Sequence, residues 1–229
     1  YGSKSKETII RYSRQIVKFL QSQNVKAIVI ACNTASALAL DVLEKEIDIP
    51  IIGVVRPGAM VAARETTGKR VGVIATEATI NSRLYPELIQ QIDPEITVLG
   101  KPCPLFVPLV EEGWRNDPIT EMVARRYLKE LQDQKIDTLI LGCTHYPLLR
   151  SLIGGIMGDK VRLVNPAYET SMALKKLLTE KDLLRKEVTE EEFPYRFFVS
   201  DAADKFKEFA NTILPYDVEK TQQINLEEY

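Results

Sequence analysis

The feature that most constrains the fold is a repeated alternation of short apolar runs with stretches of helical spacing. Runs such as Ala27–Ile30 and Thr138–Leu141 have the length and composition of strands that are buried on both faces. Each run leads within a few residues into a stretch with helical periodicity. Strands that alternate with helices predict an α/β fold with parallel sheets and right-handed crossovers.

The same alternation continues along most of the chain. Strands are predicted over residues 27–30, 49–55, 71–75, 97–101, 138–141, 161–164 and 196–199. Helices are predicted over residues 8–22, 36–46, 79–91, 169–178 and 204–214, and two more around Pro118 and Pro147. We expect an interruption near Pro86, an irregular loop around Cys103 and a charged connection over residues 181–193.

Two distant segments follow one plan. Residues 27–34 and 138–145 each contain four strand residues, a small residue, a cysteine and a polar residue. The repeat predicts two similar α/β units that place Cys32 and Cys143 at the same topological point. Ligands of open α/β sheets bind at the carboxyl ends of the strands, and both cysteines follow such an end.

The two cysteines are candidate acid/base groups. A thiol just ahead of a helix is expected to have a lowered pKa, because the helix N-terminus stabilises the thiolate. If the two units face each other, Cys32 and Cys143 can approach one small substrate from opposite sides, as stereoinversion requires. The competing interpretation is that each is a small buried hydrophobic residue, which is how we interpret Cys103.

The residues beside these cysteines allow two interpretations. Asn33, Thr34 and Thr144 can cap helices, and the same donors can hold a substrate carboxylate at a helix N-terminus. His145 is either a packing residue or a group that favours the thiolate of Cys143. Glu111 could orient its ring, although a solvated loop carboxylate is an equally good interpretation.

Composition excludes several function classes. Thirty basic and 32 acidic residues without sign-segregated blocks argue against nucleic acid as the primary partner. Three cysteines without CxxC spacing and a single histidine argue against a disulfide framework and a metal site. No apolar run is long enough to cross a bilayer, so we expect no membrane association and a cytoplasmic location.

The cysteine segments resemble the glutamate racemases, within the aspartate/glutamate racemase superfamily. The resemblance is carried by residues 31–35 and 141–149, and is supported by residues 71–76, 107–113 and the opening Tyr1-Gly2. It implies an α/β fold of two pseudo-symmetric doubly wound parallel-sheet domains with the active site between them. The first domain would comprise residues 1–56 and 166–229 and the inserted second domain residues 57–165, with crossings at Arg56-Pro57-Gly58 and Asn165-Pro166.

The resemblance also implies an activity. It assigns Cys32 and Cys143 as the two proton donors and acceptors of a cofactor-independent interconversion of L- and D-glutamate. By the same resemblance the substrate-contacting residues are Tyr1, Gly2, Asn33, Thr34, Thr144 and His145, and Glu111 is associated with the histidine. The product D-glutamate would supply peptidoglycan synthesis in a bacterium, and the protein would be a homodimer.

One departure from the family and three alternative functions remain open. Family members begin about 40 residues earlier, with a strand and a Gly-rich loop that contact the substrate, so an N-terminal segment is expected to be missing here. The alternatives are another superfamily member such as an aspartate racemase, a hydantoin racemase or a decarboxylase; a thiol hydrolase that uses Cys143 and His145; and a binding module without turnover.

Overall fold

The computed structural model describes residues 1–185 and 195–229. Its strands are β1 Ile28–Ile30, β2 Ile51–Gly53, β3 Arg70–Ala75, β4 Thr97–Pro102, β5 Thr138–Gly142, β6 Arg162–Val164, β7 Phe197–Val199 and β8 Thr221–Gln223. Its α-helices are α1 Lys6–Ser22, α2 Asn33–Leu43, α3 Val55–Glu65, α4 Glu77–Asn81, α5 Leu84–Ile92, α6 Phe106–Glu111, α7 Pro118–Asp133, α8 Arg150–Met157, α9 Pro166–Glu180 and α10 Ala203–Asn211. Two 3₁₀ turns cover Tyr146–Leu149 and Leu226–Glu228.

The central sheet has four parallel strands in the order β4-β3-β5-β6. All five residues of β5 are buried, as expected for a strand that is covered by helices on both faces. One face of the sheet contributes to a core with Phe106, Leu139 and Tyr146, and the other to a core with Val73 and Tyr85. The strand that leads to Cys143 is therefore an interior strand, paired on both edges and covered on both faces.

The other strands form two separate parallel pairs, β1-β2 and β7-β8. Helices α1 and α2 cover the β1-β2 pair through a third core cluster that contains Ile9, Ala39 and Leu43. Every strand pair in the described residues is parallel, and the predicted α/β fold with parallel sheets is confirmed. The four-stranded sheet lies within residues 57–165, although the division into two domains stays a prediction.

Several element boundaries differ from those predicted. Residues 55–65, where the Arg56-Pro57-Gly58 run was expected to end a strand, form helix α3, because a proline in the first turn lacks only an N–H that has no helical partner. The predicted break at Pro86 lies instead at Arg83, which adopts a left-handed φ of 58°. The expected loop after Cys103 contains helix α6, and strand β8 was not predicted.

The two expected crossing points pack directly against each other. Helices α3 and α9 are in contact, and α9 begins at Pro166. A Cβ on Gly58 would lie 3.0 Å from Cγ of Pro166, so a side chain at this position would crowd the proline ring. Of the predicted charged connection, residues 186–193 lie outside the described residues. No helix in the described ranges has both the length and the apolar character of a membrane span.

Candidate active site

Cys32 lies at the carboxyl end of β1 and caps helix α2. Its Sγ accepts a hydrogen bond from the backbone N–H of Ala35 at 3.5 Å, and the side chain is half-buried. The thiol therefore takes the position in which a serine or aspartate would commonly cap a helix, and it faces the positive end of the helix dipole. This is the placement that the sequence predicted.

Cys143 follows β5 directly and is 8% exposed. Burial raises the pKa of its thiol to about 11, although hydrogen bonds from the backbone N–H of His145 and from the Thr144 hydroxyl act in the opposite direction. The expected lowering of this pKa is therefore wrong. The element that follows Cys143 is a four-residue 3₁₀ turn rather than an α-helix, so the dipole that was expected to stabilise the thiolate is weak.

The two thiols interact electrostatically. A negative charge on Cys32 raises the pKa of Cys143, after the larger effect of burial. The strand ends that carry them belong to different sheets, β1-β2 and β4-β3-β5-β6. Because two like charges at this site repel, a second thiolate at Cys143 is disfavoured when Cys32 is ionised.

His145 links Cys143 to an acidic group. Its Nε2 lies 3.1 Å from Oε1 of Glu111, which is the last residue of α6, and its Nδ1 lies 3.8 Å from Sγ of Cys143. A carboxylate can only accept, so Nε2 carries a proton, and in the neutral ring Nδ1 is an acceptor within reach of the Cys143 thiol and, at 3.4 Å, of the Thr144 hydroxyl. The predicted pairing of Glu111 with His145 is present, and Phe209 stacks on the imidazole with ring centroids 6.1 Å apart.

Asn33 is buried beside Cys32, and its side chain is held by an aromatic residue. The Tyr85 hydroxyl donates to Asn33 Oδ1 at 2.7 Å, and Tyr85 itself is 2% exposed. Burial strongly raises the pKa of Tyr85, so the hydroxyl keeps the proton that it donates. Sequence analysis did not select Tyr85, because a contact between residues 52 positions apart leaves no local pattern.

Thr34 belongs to a triangle of three hydroxyls. Its Oγ1 lies 2.8 Å from Oγ1 of Thr76 and 3.2 Å from Oγ1 of Thr79, and the last two are 3.0 Å apart. Thr76 was quoted in a matching motif without a role, yet it follows β3 as Cys143 follows β5. The carboxyl-end argument that selected the cysteines applies equally to Thr76.

The opening dipeptide packs against the same region. The backbone N–H of Ala78 donates to the carbonyl oxygen of Gly2 at 3.4 Å, and a Cβ on Gly2 would lie 2.7 Å from Cβ of Thr76. The pKa of Tyr1 is raised by burial and also by the charge of Cys32. Tyr1 and Gly2 therefore lie near Cys32 and Thr76, as the predicted substrate contacts require.

A cavity of about 1100 Å³ lies next to these residues rather than between the cysteines. Tyr1 and Glu111 line it, but neither Cys32 nor Cys143 does. Its apolar walls include side chains of α1, β7 and α10, among them Phe19 and Phe198. The thiols and their hydrogen-bonding neighbours lie at the strand ends, outside the lining of this cavity.

The third cysteine is remote from proton transfer. Cys103 is fully buried, its Sγ donates to the Lys101 carbonyl oxygen at 3.6 Å, and burial strongly raises its pKa. This agrees with the structural role that was predicted for it. Within residues 1–185 and 195–229, no group of three or more His, Cys, Asp or Glu side chains is arranged to hold a metal ion.

Comparisons with known proteins agree on one family. Residues 2–170 match the model of the Asp/Glu/Hydantoin racemase family. The chain is 45% identical over 227 residues to a glutamate racemase from Geobacter metallireducens, an alignment that covers 99% of this chain and 83% of that protein.

Solved structures give the same result. The structure of a glutamate racemase from Bacillus anthracis has a TM-score of 0.93 at 34% identity and covers 98% of this chain and 83% of that one. The structure of a glutamate racemase from Francisella tularensis in complex with D-glutamate has a TM-score of 0.91 at 40% identity. This match covers 100% of this chain and 84% of that one. The chain therefore belongs to the Asp/Glu/Hydantoin racemase family and, within it, to the glutamate racemases.

Proposed function

We propose that this protein interconverts L- and D-glutamate by a two-base mechanism in which Cys32 and Cys143 are the catalytic acid and base. One cysteine, as the thiolate, removes the proton from Cα, and the other, as the thiol, delivers a proton to the opposite face. After inversion the two sulfurs have exchanged protonation states. Inversion of the other enantiomer runs the same steps in reverse.

The observation that carries this proposal is the electrostatic coupling of the two thiols. The charge of Cys32 raises the pKa of Cys143, so when Cys32 is the thiolate Cys143 is held as the thiol. A two-base racemase needs this state, because two thiolates provide no donor and two thiols provide no base. Near neutral pH, the buried Cys143 holds its proton and is poised as the donor.

The residues around the pair supply the remaining chemistry. The α-proton of an amino acid is very weakly acidic, so the site must stabilise the charge that develops on removal of this proton. Asn33 and the backbone N–H groups at the start of α2 lie beside Cys32, and the Thr144 hydroxyl lies beside Cys143. We assign these donors to the substrate carboxylates, together with Thr34, Tyr1 and Gly2.

His145 and Glu111 form a proton relay behind Cys143. The Glu111 carboxylate fixes the proton of His145 on Nε2, which leaves Nδ1 facing the thiol at 3.8 Å. A protonated imidazole stabilises the Cys143 thiolate, and a neutral one accepts the thiol proton. His145 thereby assists the inversion that begins with Cys143 as the base.

Glutamate as the substrate is supported by the relatives. Those that the chain matches at 40–45% identity over nearly its whole length are glutamate racemases, and the Francisella tularensis structure contains D-glutamate. The proposal includes supply of D-glutamate for peptidoglycan synthesis in the cytoplasm, which complementation of a D-glutamate auxotroph tests. Growth without added D-glutamate supports this role, and no growth despite expression of folded protein contradicts it.

Two features of assembly also belong to the proposal. We assign residues 1–56 and 166–229 to one domain and residues 57–165 to a second, inserted domain. Ile119 and Met122 in the first turns of α7, and Trp114 just before this helix, are exposed apolar side chains, which supports a homodimer. Light scattering tests the dimer: a mass of twice 25.9 kDa is expected, and a monomer at micromolar concentration contradicts it.

Proton exchange in heavy water tests the mechanism. Either enantiomer of glutamate, incubated with the protein and no added cofactor, is expected to gain deuterium at Cα as it inverts. The Cys32→Ala and Cys143→Ala variants should each stop inversion, and Cys103→Ala, the control, should not. Inversion at the normal rate in either active-site variant refutes the two-thiol assignment.

A further inference from the structure

The buried side chain of Tyr85 contacts both cysteine segments. Its hydroxyl donates a hydrogen bond to Asn33, the residue after Cys32. Its ring faces Gly142, the residue before Cys143, since a Cβ built on that glycine would lie 3.5 Å from Cε2 of Tyr85. One rigid side chain thus spans the space between the two strand ends that carry the thiols.

The hydrogen bond to Asn33 also fixes what that amide can offer. Because Oδ1 of Asn33 accepts from Tyr85, its Nδ2 must point to the other side. Within the described part of the chain, Nδ2 donates a hydrogen bond to no protein group. This nitrogen is nevertheless not sealed from solvent. The Asn33 side chain therefore presents a free N–H donor to accessible space beside Cys32.

The surroundings of Tyr85 do not let it move. The ring belongs to the core on one face of the central sheet, in the same cluster as Val73, Ile89 and Ile140. On the other side, a Cβ at Gly142 would lie 2.8 Å from the carbonyl oxygen of Ile74, which explains why this position has no side chain. The position of the hydroxyl is therefore set by packing and not by Asn33 alone.

We propose that Tyr85 is a positioning residue for inversion, which orients the Asn33 amide toward a substrate carboxylate and sets the spacing between the Cys32 and Cys143 segments. This inference rests on the proposed function, because it gives Tyr85 a role in the same site. Tyr85 acts through Asn33 and touches neither the substrate nor the reacting proton.

The Tyr85→Phe variant tests the proposal with a matched control. Tyr146 is also fully buried, and its hydroxyl donates to the Cys103 carbonyl oxygen at 2.8 Å, so Tyr146→Phe removes an equivalent bond away from Asn33. Both variants should lose similar thermal stability. Tyr85→Phe alone should raise KM for both enantiomers by about tenfold with a smaller change in kcat, because a ground-state carboxylate contact is misaligned.

A double-mutant cycle separates positioning from general stability. In an Asn33→Ala background, Tyr85→Phe should cause less than a twofold further change in kcat/KM, because the amide that it orients is gone. A full further tenfold loss in that background, or a normal KM in the single variant, overturns the proposal. Either result leaves the proposed function intact, provided that Cys32→Ala and Cys143→Ala are inactive. If those two variants invert glutamate at the normal rate, the proposed function itself fails.

Discussion

The raised pKa of Cys143 gives a prediction that can be measured without substrate. The structure raises this pKa from an ordinary 9.0 to about 11, mainly because the thiol is buried. At pH 8 an ordinary thiol is ionised to roughly one part in ten, whereas Cys143 is ionised to about one part in a thousand. Only the thiolate reacts with iodoacetamide, so we expect the alkylation rate of Cys143 to rise tenfold per pH unit up to about pH 10.

Mass spectrometry of the cysteine peptides gives the rate for each thiol separately. In native protein the rate for Cys143 should reach half its plateau near pH 11, and in denatured protein near pH 9. The Cys32→Ala variant should level off at a lower pH than the wild type, because the negative charge that opposes ionisation of Cys143 is removed. Circular dichroism must show that the protein is folded across the range. A native Cys143 profile that levels off at or below pH 9 refutes the argument from burial.

Two further predictions concern groups around the site and at the opposite edge of the sheet. Glu111→Gln should lower kcat/KM about tenfold or more, because an amide no longer fixes the proton of His145 on Nε2. Glu112→Gln, at the neighbouring position, is the control. Equal activity of the two variants contradicts the relay. Asp137→Asn should lower the free energy of unfolding in urea by roughly 1–2 kcal/mol at pH 7. The reason is that the carboxylate accepts hydrogen bonds from the Thr66 hydroxyl and from the backbone N–H groups of Thr67 and Gly68. The control variant Asp133→Asn breaks only an exposed ion pair.

The Asp137 prediction carries a pH dependence of definite sign. Burial raises the pKa of Asp137, but the hydrogen bonds from Thr66, Gly68 and Thr67 outweigh it and lower the pKa below its ordinary 3.8. The stabilisation is therefore present above pH 3.8 and is lost as the pH falls through the lower folded-state value. The difference in unfolding free energy between wild type and Asp137→Asn should shrink below about pH 4, and a difference that grows there refutes the sign.

Sequence patterns predicted the strands and the thiols because those features are local. The continuous apolar run of β5 has the composition of a doubly covered strand, and the cysteine after it occupies a position where ligands bind. Helix α3 was missed because it packs against several elements, among them α5, α9 and β5, so its apolar residues do not form a single stripe. In addition, Pro57 resembles a strand terminator, although a first-turn proline is compatible with a helix. The predictions were thus strongest where a single element determines its own environment.

The parts of the site that sequence could not predict depend on tertiary contacts. The Tyr85–Asn33 bond and the triangle of Thr34, Thr76 and Thr79 join residues that are far apart in the chain. The pKa of Cys143 was expected to fall, because a sequence shows that the cysteine precedes a helix. The pKa rises instead, because the thiol is buried, and the extent of burial is not visible in the sequence. Local motifs identify the chemical groups, and packing decides their protonation.

The central claim is that two sulfurs flank one Cα, and a crystal structure with bound D-glutamate tests it most directly. We expect Sγ of Cys32 and Sγ of Cys143 to lie on opposite faces of Cα, each within van der Waals reach of it. A complex in which both sulfurs lie on the same face, or in which the amino acid binds beyond reach of either one, refutes the two-base mechanism.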